Sequence, residues 1–202
     1  MDATGVILAG GKSRRMGEDK RFLKVGEATL LERSIKAMAQ VFAEVLIVIA
    51  QDSPPLEMTG CEVYRDLIAD CGSLGGLYTG LTRASRRRIF AVACDMPFLN
   101  PDMIRWFLAR APEADIVMAK LEAGLQPLHA VYGKRALPYL QQMAEERRLK
   151  IQSIAAEPSL RVTIVYPSEW RTMDPMSRSF QNVNSPAELQ AARAAASGTP
   201  LS

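Results

Sequence analysis

Thr4-Gly5-Val6-Ile7-Leu8-Ala9-Gly10-Gly11-Lys12-Ser13-Arg14-Arg15-Met16-Gly17-Glu18-Asp19-Lys20 carries an apolar run straight into a loop rich in glycine and positive charge. Adjacent glycines let a backbone close around a ligand with its N–H groups turned inward, and Lys12, Arg14, Arg15 and Lys20 add cations to the same loop. A strand that empties into such a loop is an α/β element suited to phosphates. Two better-known phosphate signatures are absent. The Walker A pattern needs a glycine where Gly11-Lys12-Ser13 has Val6, and Gly5 misses by one residue. The dinucleotide pattern G-x-G-x-x-G fails because Gly10 and Gly11 are adjacent and the next glycine is Gly17.

Working outward, the 202 residues suit one domain with a sizeable core, and 48% hydrophobic content is ordinary for a globular chain. The net charge of +3 suits small anions, and the 6% of aromatic residues are not interleaved with a basic stripe as a nucleic-acid groove requires. No apolar run reaches membrane-spanning length and no signal peptide is visible, so a cytoplasmic protein is expected, without nucleic-acid or membrane partners. Cys61, Cys71 and Cys94 are odd in number and lack C-x-x-C spacing, which argues against disulfides and structural zinc. His129 is the single histidine and reads as structural. Histidine-based hydrolysis and His-rich metal sites have little to build on.

Short apolar strands alternate with helical patterns, the rhythm of a mostly parallel sheet flanked by helices. Strands are expected at Gly5–Ala9, Val45–Ile49, Glu62–Asp66, Ile89–Cys94, Asp115–Ala119, His129–Tyr132 and Val162–Tyr166. Thr29 with Glu32, Asn100 with Pro101, and Ser185 with Glu188 mark helix starts. Further helices are expected from Ser73 to Ala84 and from Arg135 to Glu146, and Arg86-Arg87-Arg88 reads as a solvated turn. Residues 1–196 form one expected domain, and 197–202 an expected disordered tail.

Ligands of open α/β sheets lie beyond the carboxyl ends of the strands, where this chain places the glycine loop, Asp66 and Asp95. Asp95 ends an uncharged strand, and Asn100 already fills the cap position of the next helix, which leaves Mg²⁺ binding as the sharper role. Asp66 reads equally as a turn former or a ligand contact. A cationic loop facing an aspartate across a phosphate-sized gap is what phosphoryl or nucleotidyl transfer needs.

Leu8-Ala9-Gly10-Gly11, Asp19-Lys20 and Cys94-Asp95-Met96-Pro97 resemble the signature elements of nucleotidyltransferases. Tyr64-Arg65-Asp66, Gly72 to Leu77, Gln126 to Tyr132 and Phe180 to Leu189 make the chain similar to the molybdenum cofactor guanylyltransferase family. The resemblance implies a Rossmann-like three-layer α/β/α sandwich of the glycosyltransferase-A-like type. It also implies joining of GMP from GTP to the terminal phosphate of molybdopterin, with Mg²⁺ present and pyrophosphate released. By matching position, Leu8, Ala9, Gly10, Gly11, Lys20, Asp66 and Asp95 would contact the nucleotide, and Asp95 the metal. We assign charge stabilisation to Lys20 and Arg15, with Asp95 completing the catalytic set. Asn182 and Asn184 are candidates for the pterin side or the metal shell, or turn residues before Ser185. Molybdoenzymes or their chaperones are implied as transient partners. One departure concerns the base: relatives can have an asparagine at the end of the second strand, where this chain has Ile49, with Gln51 nearby. A related enzyme with another base or acceptor, such as a molybdopterin cytidylyltransferase or a sugar-phosphate or phospholactate nucleotidyltransferase, is the rival reading, and a non-catalytic nucleotide-binding or cofactor-delivery protein is a third.

Overall fold

Thr4–Leu8 forms β1, buried along its whole length, as an unbroken apolar run requires of a strand covered on both faces. The computed structural model describes residues 2–10 and 19–197. A 3-10 turn at Lys20–Phe22 leads into β2 (Lys24–Val25), β3 (Ala28–Thr29), α1 (Leu30–Ala39), β4 (Val45–Ile49) and β5 (Glu62–Arg65). The chain continues through α2 (Ser73–Arg83), β6 (Arg88–Ala93), α3 (Pro101–Arg110), β7 (Ile116–Leu121) and β8 (Gly124–Gly133). It ends with α4 (Leu137–Glu145), β9 (Val162–Val165), α5 (Pro167–Trp170) and α6 (Pro186–Ser197).

Seven strands form one sheet in the order β5-β4-β1-β6-β8-β7-β9. Every neighbouring pair is parallel except those of β8, which runs antiparallel to both β6 and β7. The hydrophobic alternation of the strands feeds two core layers. On one face Ile7, Ile47, Phe90 and Val92 pack with Leu31 and Met38 of α1, Phe107 of α3 and Trp170 of α5. On the other, Val6, Leu46, Val48 and Ala91 pack with Leu74, Leu77 and Leu81 of α2 and with Leu140 and Met143 of α4. This is the expected three-layer, mostly parallel architecture. Among the described residues no helix is long and apolar enough to cross a membrane.

The caps read from sequence form as hydrogen bonds. Glu32 N–H donates to Thr29 Oγ1 at 3.2 Å while the Glu32 carboxylate accepts from Thr29 N–H at 2.7 Å. Asp102 N–H donates to Asn100 Oδ1 at 2.9 Å. Other expectations need correction. Ser197, expected in the tail, is the last residue of α6, and residues 198–202 lie outside the described residues. Arg88 does not belong to a solvated turn: it begins β6, and its guanidinium donates to Leu108 O and Ala111 O at the end of α3.

The expected strand at His129–Tyr132 is the buried end of a longer one. Two residues connect β7 to β8, and a connection that short allows only an antiparallel hairpin. Ala119 pairs with Gln126 and Val117 with Val131, so Met118 alone faces the four residues from Pro127 to Ala130, a bulge of more than one extra residue. Tyr132 Oη donates to Pro127 O at 2.6 Å across it. Pro127 interrupts the apolar signal, which hides the strand's first half from pattern reading. The β2–β3 hairpin, too short to leave a pattern, turns through Gly26 at φ +69°.

Candidate active site

The connection after β1 carries the chain through α1 to β4, and the chain returns from β5 through α2 on the opposite face to β6. The strand order therefore reverses between β1 and β6, and a crevice opens beyond their carboxyl ends. Their ladder ends where Cys94 N–H donates to Leu8 O at 3.0 Å. Beyond that rung Ala9 and Gly10 depart on one side and Asp95 on the other, around a cavity of about 280 Å³. A Cβ on Gly10 would stand 2.9 Å from Ala50 N, so only glycine lets the loop pass this close to the end of β4.

Leu8, Ala9, Gly10, Lys20, Asp95, Asn182 and Asn184, all singled out from sequence, line this cavity. Lys20 Nζ donates to Asn184 Oδ1 at 2.7 Å and stands 3.6 Å from Asp95 Oδ2. The lysine and aspartate side chains are 19% and 16% exposed. Asp19 sets the lysine's direction by capping its 3-10 turn, its Oδ1 accepting from Arg21 N–H at 3.1 Å. From the other side, Val183 N–H donates to Asp95 O at 2.9 Å, and Asn184 N–H donates to the Glu188 carboxylate at 2.6 Å. Arg33 Nε donates to Pro97 O at 2.9 Å, tying α1 to the turn that carries Asp95.

Burial dominates the electrostatics of the cavity. Burial pushes the Asp95 carboxyl above the usual carboxylate range, with Lys20 pulling the other way. Asp95 Oδ1 and Asn182 Oδ1 are buried without a hydrogen-bond partner among the described residues. Burial pushes the Cys94 thiol up to about 12, which makes it inert. A larger depression of about 590 Å³ lies at the amino ends of the strands, lined by Arg87, Arg88, Lys134, Arg135 and Arg161. It is the weaker candidate despite its size. Arg88 and Lys134 are committed to helix-end carbonyls, and Arg135 and Arg161 stand over Asp115 at 3.4 and 3.5 Å.

The sequence pattern of the MobA-like NTP transferase domain matches residues 5–161. The chain belongs to this family. A protein of Pelotomaculum thermopropionicum named a probable molybdenum cofactor guanylyltransferase is 36% identical over 193 residues, which are 96% of this chain and 93% of the relative. The molybdenum cofactor guanylyltransferase of Desulfosudis oleivorans is 34% identical over 200 residues, 96% of each chain. The crystal structure of molybdopterin-guanine dinucleotide biosynthesis protein A from Archaeoglobus fulgidus shares the fold, with a TM-score of 0.82 at 23% identity over 97% of this chain and all of that one.

Within this MobA-like chain, the remaining sequence expectations fare differently. Gly11 and Arg15 lie outside the described residues. Asp66 does not line the cavity. Its carboxylate sits against the first turns of α2, with Oδ2 and Oδ1 at 3.6 and 3.5 Å from where a Cβ would project on Gly75 and Gly76. Its carboxyl is pushed up to about 6 by burial, and its Oδ1 has no partner among the described residues. Ile49 is buried in β4, and Gln51 Nε2 donates to Asp66 O at 2.8 Å, so the amide is tied to the neighbouring strand end.

Sequence reading gave no site role to Arg21, nor to Ser73 and Leu128 within their family-like stretches, and all three also line the cavity. Arg21 is only 5% exposed, and its Nε donates to both Asp19 oxygens at 2.9 Å. Burial works against the Asp19 charge, but the hydrogen bond and charge of Arg21 outweigh it and hold that carboxyl below its ordinary value. The signal in the sequence was an acid two residues before an arginine at the end of the loop. Surface pairs look the same.

Proposed function

We propose that this chain transfers GMP from GTP to the terminal phosphate of molybdopterin, giving molybdopterin guanine dinucleotide and pyrophosphate. The observation that carries the reading is the Lys20–Asp95–Asn184 cluster at the β1/β6 crevice, in a chain similar over nearly its whole length to proteins named guanylyltransferases. The acceptor's phosphate oxygen attacks the α-phosphorus of GTP, the bond from that phosphorus to the β-bridging oxygen breaks, and pyrophosphate leaves with the electron pair. A phosphate monoester has a second pKa of about 6 and is mostly dianionic at neutral pH, so no side chain has to remove a proton. The protein's tasks are alignment and charge stabilisation.

Lys20 supplies the cation. Held by Asn184 and Asp19's turn, it meets the phosphate oxygens where negative charge grows, and Gly10 lets the loop backbone approach them. The donor set fits Mg²⁺: Asp95 Oδ1 and Asn182 Oδ1 are buried oxygen donors without partners among the described residues, and Mg²⁺ is commonly held by one or two protein oxygens plus substrate phosphates. Bound there, the ion would offset charge on the α-phosphate and the leaving pyrophosphate. We place the reaction in the cytoplasm, where GTP is made.

The test offers GTP, CTP, ATP and UTP separately, each with Mg²⁺ and molybdopterin, and measures pyrophosphate. Release with GTP that stops when molybdopterin or Mg²⁺ is omitted is expected. Release with CTP alone moves the chain to a cytidylyl reaction, and GTP binding without release in any mixture makes it a non-catalytic nucleotide carrier.

A further inference from the structure

His129 takes no part in the chemistry above, yet it occupies a tightly constrained position in the core. It is fully buried and sits in the β8 bulge with φ +73°, left-handed backbone that non-glycine residues rarely adopt. Its ring centroid lies 4.9 Å from that of Phe90 on β6, 5.1 Å from Phe107 on α3 and 4.7 Å from Phe180. Neither ring nitrogen has a hydrogen-bond partner among the described residues. Burial pushes the imidazole down to about 4, so it is neutral in this aromatic box.

Two cavity elements meet at this ring. Leu128, the preceding residue of the bulge, lines the cavity. Phe180 begins the arm that carries Asn182 and Asn184 into it. The arm starts from a turn in which Arg178 and Ser179 N–H donate to the two Asp174 oxygens at 2.9 and 2.8 Å, and it ends on Asp95 O and Lys20 Nζ. Between those ends Phe180 has its aromatic contacts with His129, Trp170 and Phe107.

We propose that His129 is a positioning residue, whose ring against Phe180 holds the Asn182–Asn184 arm in register with Lys20 and Asp95. The position asks for two properties together: an aromatic ring to fill the box, and tolerance of left-handed backbone, in which histidine, asparagine and aspartate are enriched. Histidine is the residue that meets both. An asparagine would keep the backbone and lose the ring, whereas a phenylalanine would keep the ring and strain the backbone.

This difference supplies the test, run on full-length His129→Asn and His129→Phe proteins. Amide hydrogen exchange reads the arm without reference to catalysis, and kcat/KM reads its consequence, which alone rests on the proposed guanylyl transfer. In His129→Asn, amides of residues 178–184 should exchange about tenfold faster or more, with β1 and β6 unchanged. Its kcat/KM should fall about 10–100-fold, a typical result of misplacing a reacting group. In an Asn182→Ala, Asn184→Ala background the same substitution should change kcat/KM less than about twofold, because the groups it positions are gone. His129→Phe should unfold more readily yet keep arm protection and kcat/KM within about threefold of the parent. Uniform acceleration across the sheet, an equal kinetic loss in both backgrounds, or loss of arm protection in the Phe variant would overturn the positioning role and leave only a packing one. Should His129→Asn fail to fold, the Phe variant decides alone.

Discussion

Asp95→Asn should stabilise the folded protein while abolishing turnover, and one physical cause produces both effects. The Asp95 side chain is 16% exposed, and its Oδ1 has no partner among the described residues. Lys20 stands 3.6 Å away, longer than the roughly 2.8 Å of a charge-assisted hydrogen bond. At an effective dielectric of about 20 that attraction is worth roughly 4 kcal/mol, while taking one ion out of water costs several. The upward displacement of the Asp95 carboxyl says which effect wins: burial outweighs Lys20 and the hydrogen bonds together. A raised carboxyl pKa means that ionisation costs stability above the unfolded value of 3.8, so at pH 7.5 the full cost is present. An amide of the same shape relieves it, for an expected gain of about 1 kcal/mol, or roughly 2–4 °C in Tm for a chain of this size. The gain should shrink as pH falls, because protonation of the parent's Asp95 relieves the same cost. Urea denaturation with EDTA present, at pH 7.5 and 4.5, measures this. Adding Mg²⁺ and GTP at about 100 times Kd should stabilise the parent by about 2.7 kcal/mol and the variant far less. A variant less stable than its parent by more than about 1 kcal/mol at pH 7.5 refutes the reasoning, because Asp95 would then be a net-stabilising partner of Lys20.

Three further outcomes follow from other parts of the structure. Lys20→Ala should lower kcat about 10²–10³-fold with a native circular dichroism spectrum, the usual loss for a preorganised charge-stabilising group; near-normal turnover removes Lys20 from the chemistry. Gly80→Ala places a Cβ at 2.4 Å from Val6 Cγ1, so stability should fall by about 1–3 kcal/mol, and Val6→Ala in the same chain should restore part of it; additive losses would mean that this contact is not the cause. Because the His129 imidazole titrates near 4 rather than at its ordinary 6.5, the unfolded chain binds its proton first as pH falls. Stability should therefore be complete above pH 6.5 and decline by about 3 kcal/mol toward pH 4. An acid limb of equal depth in His129→Phe would assign the loss to other groups.

Where a residue's role is set by its immediate neighbours, the sequence announces it. The five apolar residues from Val45 form a fully buried strand, Thr29 and Glu32 close their reciprocal cap, and Asp95 sits two residues past the end of β6, in the turn that follows it. Where the role is set by a contact between distant segments, nothing local marks it. Lys20 and Asn184 are 164 residues apart, and Arg21 is buried only because the turn of Lys20–Phe22 folds it inward against Asp19. The first half of β8 was hidden for a related reason, since a bulge breaks the period-two pattern from which strands are read. Once folded, the site carries a different kind of signal, which it shares with a few core positions such as His129 and Trp170. Asp95 Oδ1, Asn182 Oδ1, Arg21 Nη1 and, behind the turn of α2, Asp66 Oδ1 are all buried without partners among the described residues. Buried polar groups are normally paired, and local rules tend to fail at functional sites. In this chain the carboxyl ends of the strands attract attention in sequence as the places where charge follows apolar runs. In the structure they hold buried polar groups without partners among the described residues, and the nucleotide, phosphates and hard cation of the proposed reaction are the ligands whose chemistry would complete them.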